Sequence, residues 1–205
     1  MDDEADNRTR LAARVQSVRA AQMRGIADEE FSGEELDGAD LTELDFESTV
    51  FRNCRFSTCD FSHASFKNVT WESCDFSNCR ILDSYWAHCT VKLSKGDGAE
   101  FRSSAFKGTT FLQSSFSYAG FESCVWEHDT IRTCIMRDCI LSGSKIKKST
   151  WEDVDLTRAE FFRTPLAGID LSLCTIEGIV LSDDLGEIRG AKVSALQALD
   201  LVERF

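Results

Sequence analysis

The sequence predicts an elongated all-β solenoid, in which short strands coil around one axis and stack along it. Large apolar residues recur at every fifth position from Phe31 to Leu181, small residues stand two positions before them, and the frame never slips. Of 31 positions on this frame, 30 are hydrophobic, whereas a composition of 42% would place about 13 there. The segment from Glu29 to Asp183 is therefore predicted to be 31 consecutive five-residue repeats.

Each repeat has two positions that are predicted to face inward and three that face outward. Cys54-Arg55-Phe56-Ser57-Thr58 and Cys59-Asp60-Phe61-Ser62-His63 show the pattern of a small residue, a polar residue, a large apolar centre and two polar residues. This order fits neither the 3.6-residue period of a helix nor the two-residue period of a strand. It predicts a chain that turns a corner every five residues.

The repeat resembles that of the pentapeptide repeat family, whose consensus is A(D/N)LXX. Ala39-Asp40-Leu41 and Cys59-Asp60-Phe61 match it closely, and the resemblance covers about three-quarters of the chain. It implies a right-handed quadrilateral β-helix with four repeats per coil and just under eight coils. At about 4.8 Å per strand, the rod is expected to be roughly 37 Å long. A 20-residue coil also predicts that five threonines stack as a ladder: Thr70, Thr90, Thr110, Thr130 and Thr150.

Helical caps are predicted at both ends, because an open solenoid exposes unpaired strand edges. Residues 1–28 are assigned to an N-terminal helical cap or mobile arm, in which Leu11, Val15 and Val18 share one helix face. Thr9 is the predicted N-cap and Gly25 stands where a C-cap would. Residues 1–30 hold five arginines but seven acidic residues, which disfavours a nucleic-acid-binding arm.

Residues 184–205 are assigned to a C-terminal helical cap and dimerisation segment. An amphipathic helix is predicted from Val193 to Phe205, with Ser194 as its cap. The string from Arg189 to Ala198 resembles the C-terminal segment of the quinolone-resistance pentapeptide repeat proteins, the Qnr and MfpA group, in which it pairs two rods end to end. The alternative is a cap that only covers the last coil. The resemblance implies a homodimer through Val193, Leu196, Leu199 and Val202.

One coil is predicted to be weak. Gly96 is the only residue on the frame without an apolar side chain, and Gly98 follows it. Because glycine leaves a core position empty and loosens a strand, we expect a local bulge or a cavity here, and less readily a hinge.

The cysteines and histidines do not predict a catalytic or metal site. All nine cysteines fall in the small inward column, which favours a role as small core residues. His63, His88 and His128 fall at outward positions, and the two that share a face are too far apart for one metal ion. The sequence contains no HExxH, no glycine-rich phosphate loop and no nucleophile elbow. We therefore expect no catalysis, no metal and no cofactor.

Charge and hydropathy restrict the partners. The net charge of -12 and the pI of about 4.7 disfavour direct binding of nucleic acid, which is itself a polyanion. No apolar run approaches the length of a membrane span, and the N-terminus lacks a basic region followed by an apolar one. We expect a cytoplasmic protein with no membrane contact.

The acidic residues are predicted to gather on one face of the coil. A period of 20 places the carboxylates on the face whose centres run from Leu41 to Leu181, against only Arg80, Arg102 and Arg163. The face with centres from Phe46 to Leu166 instead carries five lysines, Lys67, Lys107, Lys145, Lys147 and Lys148. The candidate partner-binding residues on the acidic face are Asp40, Asp60, Asp83, Glu100, Glu122 and Glu160.

Resemblance to the Qnr and MfpA group implies DNA mimicry. An acidic rod of DNA-like width would occupy the DNA-binding saddle of a type II topoisomerase such as DNA gyrase, and would inhibit it or protect it from quinolone-type poisons. The unbroken frame is closer to MfpA than to the loop-bearing Qnr branch, which puts Qnr-type drug protection in doubt. The alternative is a non-catalytic interaction scaffold with an unknown partner. It is supported by outward apolar residues, Leu82, Leu112, Val125, Ile135, Ile140 and Phe162.

Overall fold

The computed structural model describes residues 9–204 as a β-solenoid of parallel sheets with a short helix at each end. Helix α1 spans Arg10–Ala20 and helix α2 spans Ala195–Arg204, with a turn of 3-10 helix at Gly186–Ile188. Every strand is three residues long, with the apolar centre buried in the middle. In chain order they are β1 (Gly25–Ala27), β2 (Glu30–Ser32), β3 (Glu35–Asp37), β4 (Asp45–Glu47), β5 (Val50–Arg52), β6 (Arg55–Ser57), β7 (Ser65–Lys67), β8 (Thr70–Glu72), β9 (Tyr85–Ala87), β10 (Thr90–Lys92), β11 (Ala105–Lys107), β12 (Thr110–Leu112), β13 (Val125–Glu127), β14 (Thr130–Arg132), β15 (Lys145–Lys147) and β16 (Thr150–Glu152).

The strand register confirms the 20-residue coil. Each residue pairs with the residue 20 positions on, as in Phe46 with Phe66 and Phe66 with Trp86. We number the four sides of the coil along the chain. Face 1 is the seven-stranded sheet β1-β4-β7-β9-β11-β13-β15, and face 2 is the seven-stranded sheet β2-β5-β8-β10-β12-β14-β16. Face 3 follows face 2 with centres from Leu36 to Ile176, and face 4 completes the coil with centres from Leu41 to Leu181.

Faces 3 and 4 are built mainly from turns. On face 4, single parallel bridges run from Asp40 to Val180 at 20-residue steps, and turn hydrogen bonds such as Ala64 N–H to Phe61 O (3.1 Å) close each side. The residue two after the centre has a left-handed backbone around most of the solenoid, for example Asn68 at φ 54. Asn, Asp and His tolerate this region best, which explains why His63, His88 and His128 stand at these exposed corners.

The core is a stack of aromatic and aliphatic centres, all of them buried. Phe46 and Phe66 lie parallel with ring centroids 5.4 Å apart, and Phe101 and Phe121 do the same at 4.8 Å. Stacked rings of this kind bury large apolar areas, which is the main stabilising contribution in such a narrow rod.

The small inward column has a second role in hydrogen bonding. Its side chains donate to the carbonyl 23 residues earlier: Ser104 Oγ to Ile81 O (2.9 Å) and Ser144 Oγ to Phe121 O (2.7 Å). The thiol of Cys139 makes the same contact with the Phe116 carbonyl. The cysteines therefore lie where the sequence predicts, buried in the core, and they also satisfy backbone carbonyls.

Helix α1 covers the first coil as the sequence predicts. Leu11, Val15 and Val18 are buried, and the Ala12 N–H donates to Thr9 Oγ1 (3.2 Å) at the N-cap. The helix ends before Gly25, because Gln22 adopts the left-handed conformation (φ 56) that terminates it. The predicted cap segment also contains β1, and its first residues, 1–8, lie outside the described part of the chain.

Arginines attach this cap to the solenoid. Arg10 and Arg14 both pair with Glu29, at 3.1 and 2.5 Å. The buried carboxylate of Glu34 accepts the Leu11 N–H (3.1 Å), which places a negative charge at the positive end of the helix. Both arginines therefore contact protein carboxylates.

The C-terminal cap is held by two polar side chains. Glu187 is buried and accepts hydrogen bonds from the Arg163 and Ser182 N–H groups, at 2.9 and 3.1 Å. Gln197 and Ser194 bond reciprocally at the start of α2, and Gln197 Nε2 also donates to the carbonyls of the last coil. Ser194 is thus the predicted cap, and α2 is fixed against the end of the rod.

The expectation of a bulge or cavity at Gly96 is wrong. The residue keeps its place in the ladder, donating its N–H to Ser115 O (2.8 Å), and Lys95 bridges both neighbouring rungs. A Cβ at Gly96 would lie 2.6 Å from the Phe76 ring and 3.0 Å from the Phe116 ring. Phenylalanines from the two adjacent coils therefore fill the space that glycine leaves.

The predicted threonine ladder is present on face 2. Thr70, Thr90, Thr110, Thr130 and Thr150 are paired in register on consecutive rungs. The column beside them alternates in charge: Arg52 pairs with Glu72, and Lys92 pairs with Glu72 at 2.8 Å. Ion pairs therefore neutralise these charges of face 2 within the coil.

Candidate interaction surfaces

The structure brings the six predicted acidic residues to face 4, but not into one continuous row. Four of them, Asp40, Asp60, Glu100 and Glu160, share the column immediately before the centres. Arg80, Gly120 and Ile140 stand between them in the same column. The other two, Asp83 and Glu122, lie in the columns after the centres.

Half of this set is neutralised by arginine. Asp40 accepts from both guanidinium nitrogens of Arg19 in α1 (2.7 and 3.0 Å), which lowers the pKa of that carboxyl far below its ordinary value. Asp60 lies 3.5 Å from Arg80, and Glu100 lies 3.4 Å from Arg102. The sequence could not reveal the Arg19 pair, because it joins a helix to the end of the coil.

Two of the same carboxylates also stabilise turns. Asp40 Oδ1 accepts the Thr42 N–H (3.0 Å), and Asp60 Oδ1 accepts the Ser62 N–H (2.8 Å). Asp75 and Asp155 make the same contact on face 3. An aspartate before the centre is therefore partly a local turn residue, as in other Asx turns.

The carboxylates available to a partner are those that form no ion pair with arginine in the described residues. Asp83 is exposed, and it and Glu122 form no ion pair within residues 9–204. Glu160 accepts a hydrogen bond from Ser142 Oγ (2.6 Å) and has no ion-pair partner among the described residues. These three residues span the middle and later coils of face 4.

The later coils of face 4 carry exposed apolar side chains as well as the carboxylate of Glu160. Ile140, Phe162 and Val180 are each 38 or 39% exposed and stand on successive rungs. Val180 was not among the outward apolar residues chosen from the sequence, although its place directly before the centre Leu181 marks it as outward. Face 4 thus gains exposed apolar side chains along its length, with Glu160 among them.

The other outward apolar residues do not form one patch. Val125 is exposed on face 1 and Ile135 on face 3, while Leu82 on face 4 and Leu112 on face 2 are half-buried. The contiguous cluster that a scaffold would use is therefore restricted to the end of face 4.

The five lysines predicted to oppose the acidic face all lie on face 1. Lys67, Lys107, Lys145 and Lys147 project from its strands, and Lys148 stands at the adjoining corner. All five are exposed. Face 1 adjoins face 4 along one edge of the coil, and it carries Asp45, Glu47 and Glu127 as well as these lysines.

Helix α2 turns an apolar stripe outward. Leu196, Leu199 and Val202 are 80, 62 and 76% exposed, whereas Leu201 is buried against the rod. Val193, the fourth residue assigned to dimerisation, is half-buried and packs against the core. Leu173 in the last coil, which the sequence did not single out, is 70% exposed.

No group of three or more His, Cys, Asp or Glu side chains in residues 9–204 is placed to hold a metal ion. Burial raises the pKa of the Cys89 and Cys124 thiols to about 12, so both remain protonated and unreactive at neutral pH. Neither helix in this range, of 11 and 10 residues, is long and apolar enough to cross a membrane.

Comparison with known proteins gives the following similarities. Residues 26–101 match the family model for the pentapeptide repeat region. The chain is similar to a trypsin-treated variant of QnrB1, a plasmid-mediated fluoroquinolone resistance protein, with 20% identity over 88% of this chain and 94% of that one and a TM-score of 0.57. It is also similar to HetL, a pentapeptide repeat protein involved in heterocyst differentiation regulation from the cyanobacterium Nostoc, with 14% identity, coverage of 88% and 93% and a TM-score of 0.28. No significant match was found among curated protein sequences.

Proposed function

We propose that this chain, which is a pentapeptide repeat protein, works as a non-catalytic rod that binds a type II topoisomerase, DNA gyrase, in place of DNA. Binding would inhibit the enzyme or protect it from quinolone-type poisons. The observation that carries the proposal is the acidic face 4 on a rod whose fold is that of QnrB1, a protein of fluoroquinolone resistance.

The physical basis is electrostatic complementarity. A saddle that binds DNA presents ordered cations. Carboxylates held at fixed spacing on a rigid rod can contact the same cations with little loss of conformational entropy on binding. Asp83, Glu122 and Glu160 are the residues proposed to make these contacts, because arginine does not neutralise them within the described chain. Asp40, Asp60 and Glu100 contribute less, since each already pairs with an arginine.

We predict that Asp83→Asn, Glu122→Gln and Glu160→Gln together weaken inhibition of gyrase supercoiling by about tenfold or more. Three charges without an ion-pair partner in the described residues are lost from the contact face, while the side chains keep their size. The measurement is a supercoiling assay with purified protein, with and without a fluoroquinolone, over a range of salt concentrations. Inhibition or drug rescue by the wild type should decrease as salt increases.

A matched variant distinguishes an effect of the face 4 carboxylates from an effect of the total net charge. Asp45→Asn, Asp153→Asn and Glu177→Gln remove three carboxylates from faces 1, 2 and 3, and none of them forms an ion pair in residues 9–204. This variant should act like the wild type. Equal activity of both triple variants would disprove the role of face 4, and no effect of the wild type on gyrase would disprove the topoisomerase proposal.

We also propose that the rod forms a homodimer through the outward stripe of α2. An amphipathic helix that turns Leu196, Leu199 and Val202 to solvent exposes apolar area that a symmetric partner would bury. Leu199→Glu should raise the dimer dissociation constant by about 100-fold or more, as measured by analytical ultracentrifugation. Leu93→Glu, at an exposed corner of face 2, is the control and should leave association unchanged. A monomeric wild type at high concentration would contradict the proposal.

A second function is favoured by the apolar end of face 4. Ile140, Phe162 and Val180 are exposed on successive rungs, and neighbouring exposed apolar side chains are typical of a protein-binding scaffold. Binding through these side chains would resist salt, whereas binding through carboxylates would not. The salt series above therefore separates the two functions.

A further inference from the structure

The lysines of this protein divide into two groups by their ion pairing. Outside face 1, Lys92 pairs with Glu72 (2.8 Å), Lys95 with Asp97 (3.6 Å) and Lys192 with Asp170 (2.6 Å). On face 1, none of the five lysines has an ion-pair partner among residues 9–204. This is notable in a chain of net charge -12, where carboxylates are abundant.

Unpaired lysines flank an uncharged strip on one side and at one end. Tyr85, Ala105 and Val125 are paired in register on three consecutive rungs, immediately before the centres of face 1. Tyr85 is 37% and Val125 38% exposed, so the strip presents apolar surface. It is followed on the next rung by Lys145.

Three of the other lysines lie in the column on the far side of the buried centres. Lys67 and Lys107 lie in the parallel column on either side of the buried Ala87. Lys147 lies two rungs beyond Lys107, with Glu127 between them. At about 4.8 Å per rung, the cations from Lys67 to Lys147 extend over roughly 19 Å of a flat sheet.

From this arrangement we propose that face 1 is a docking surface for an acidic segment of a protein partner, one that carries apolar side chains among its carboxylates. Apolar surface beside charged side chains is typical of a protein interface, and the adjoining lysines would attract and orient an acidic chain. The proposal does not depend on gyrase binding, which uses face 4.

Nucleic acid fits this surface less well. Face 1 carries lysines but no arginine, so it lacks the planar fork that binds phosphate with two hydrogen bonds. Its strip has one exposed aromatic ring, Tyr85. Proteins that bind single strands present several aromatic rings, on which successive bases stack. The carboxylates of Asp83 and Glu122 on the adjoining face 4 would repel a long polyanion.

The test is fluorescence anisotropy with a fluorescein-labelled peptide of Glu-Glu-Leu repeats. We predict that Lys67→Gln, Lys107→Gln and Lys147→Gln together weaken its binding to the full-length protein by about tenfold or more. The matched control, Lys92→Gln, Lys95→Gln and Lys192→Gln, removes the same charge elsewhere and should bind like the wild type. Val125→Thr, which keeps the β-branched shape, should weaken binding, whereas Ile135→Thr on face 3 should not.

Three outcomes would overturn the proposal. One is an absence of peptide binding to the wild type at about 100 μM, which is weaker than most specific interfaces. Another is equal binding by both triple-lysine variants. The third is tighter binding of single-stranded DNA, or of a peptide of glutamate alone, since either would show that the apolar strip is not used. Thermal unfolding of each variant, expected to match the wild type, confirms that the fold is intact.

Discussion

Replacing Asp129 by threonine is expected to stabilise the protein at pH 8 by on the order of 4 kcal/mol. Asp129 occupies the small inward column, where it is 1% exposed. Its Oδ1 accepts the Thr109 N–H (2.7 Å), but Oδ2 has no partner in the described chain. Burial raises the pKa of this carboxyl from 3.8 to about 7, and the nearby Glu127 adds to the effect.

The sign of the pH dependence follows from this upward shift. Between pH 4 and 7 the folded state keeps the Asp129 proton while the unfolded state has lost it. Stability from this residue is therefore complete below about pH 4 and is lost as the pH rises towards 7.

The measurement is urea unfolding of the wild type and of Asp129→Thr from pH 4 to pH 8. The difference in free energy of unfolding should be small at pH 4 and should grow to its full value by pH 8. Taking the difference cancels carboxylates with lowered pKa values, such as Asp138 and Asp170, which favour folding at higher pH. Threonine suits the site because Thr164, in the same column, accepts the Ser144 N–H (3.0 Å) and donates to the Leu141 carbonyl (2.6 Å).

Asparagine provides the control. Asp129→Asn removes the charge and keeps both the size and the acceptor oxygen, so it should reproduce the pH-dependent part of the stabilisation. A difference between wild type and variants that does not change with pH would show that Asp129 is not the titrating group. The m-values should agree, because unequal m-values would indicate that single coils unfold separately.

The coil could be predicted from the sequence because a five-residue frame fixes which side chains face inward. Phe46, Phe66 and Trp86 stack because the frame places them 20 residues apart, at the same inward position of consecutive coils. The same frame assigns Asp129 to the inward column, so the sequence alone could have predicted its burial.

The charge of face 4 could not be predicted in the same way. Ion pairing depends on side-chain conformation and on helix α1, whose position no repeat specifies. Arg19 reaches Asp40 and Arg24 reaches Glu43 only because α1 crosses the end of the coil beside face 4. Sequence reasoning counted all the acids of the face equally, whereas the structure separates the paired ones from those that remain available, such as Asp83.

Restoring the repeat at Gly96 with leucine is expected to destabilise the protein, although every other position on the frame is apolar. The Phe76 and Phe116 rings, with centroids 6.1 Å apart, already occupy the space above and below the glycine. A leucine must displace both rings or shift the backbone, and overpacking of this kind costs about 1 to 3 kcal/mol or more. Urea unfolding of Gly96→Leu measures the loss.

A double variant distinguishes overpacking from other causes. Phe116→Ala alone should cost about 3 to 5 kcal/mol, because it leaves a cavity in the core. With Gly96→Leu in the same chain, the leucine fills that cavity. The double variant should therefore lose at least about 1 kcal/mol less unfolding free energy than the sum of the two single-variant losses. Phe161→Ala, in a distant coil, should combine additively with Gly96→Leu. Additive losses with Phe116→Ala would mean that the rings do not fill the Gly96 position, and that leucine acts there through the backbone alone.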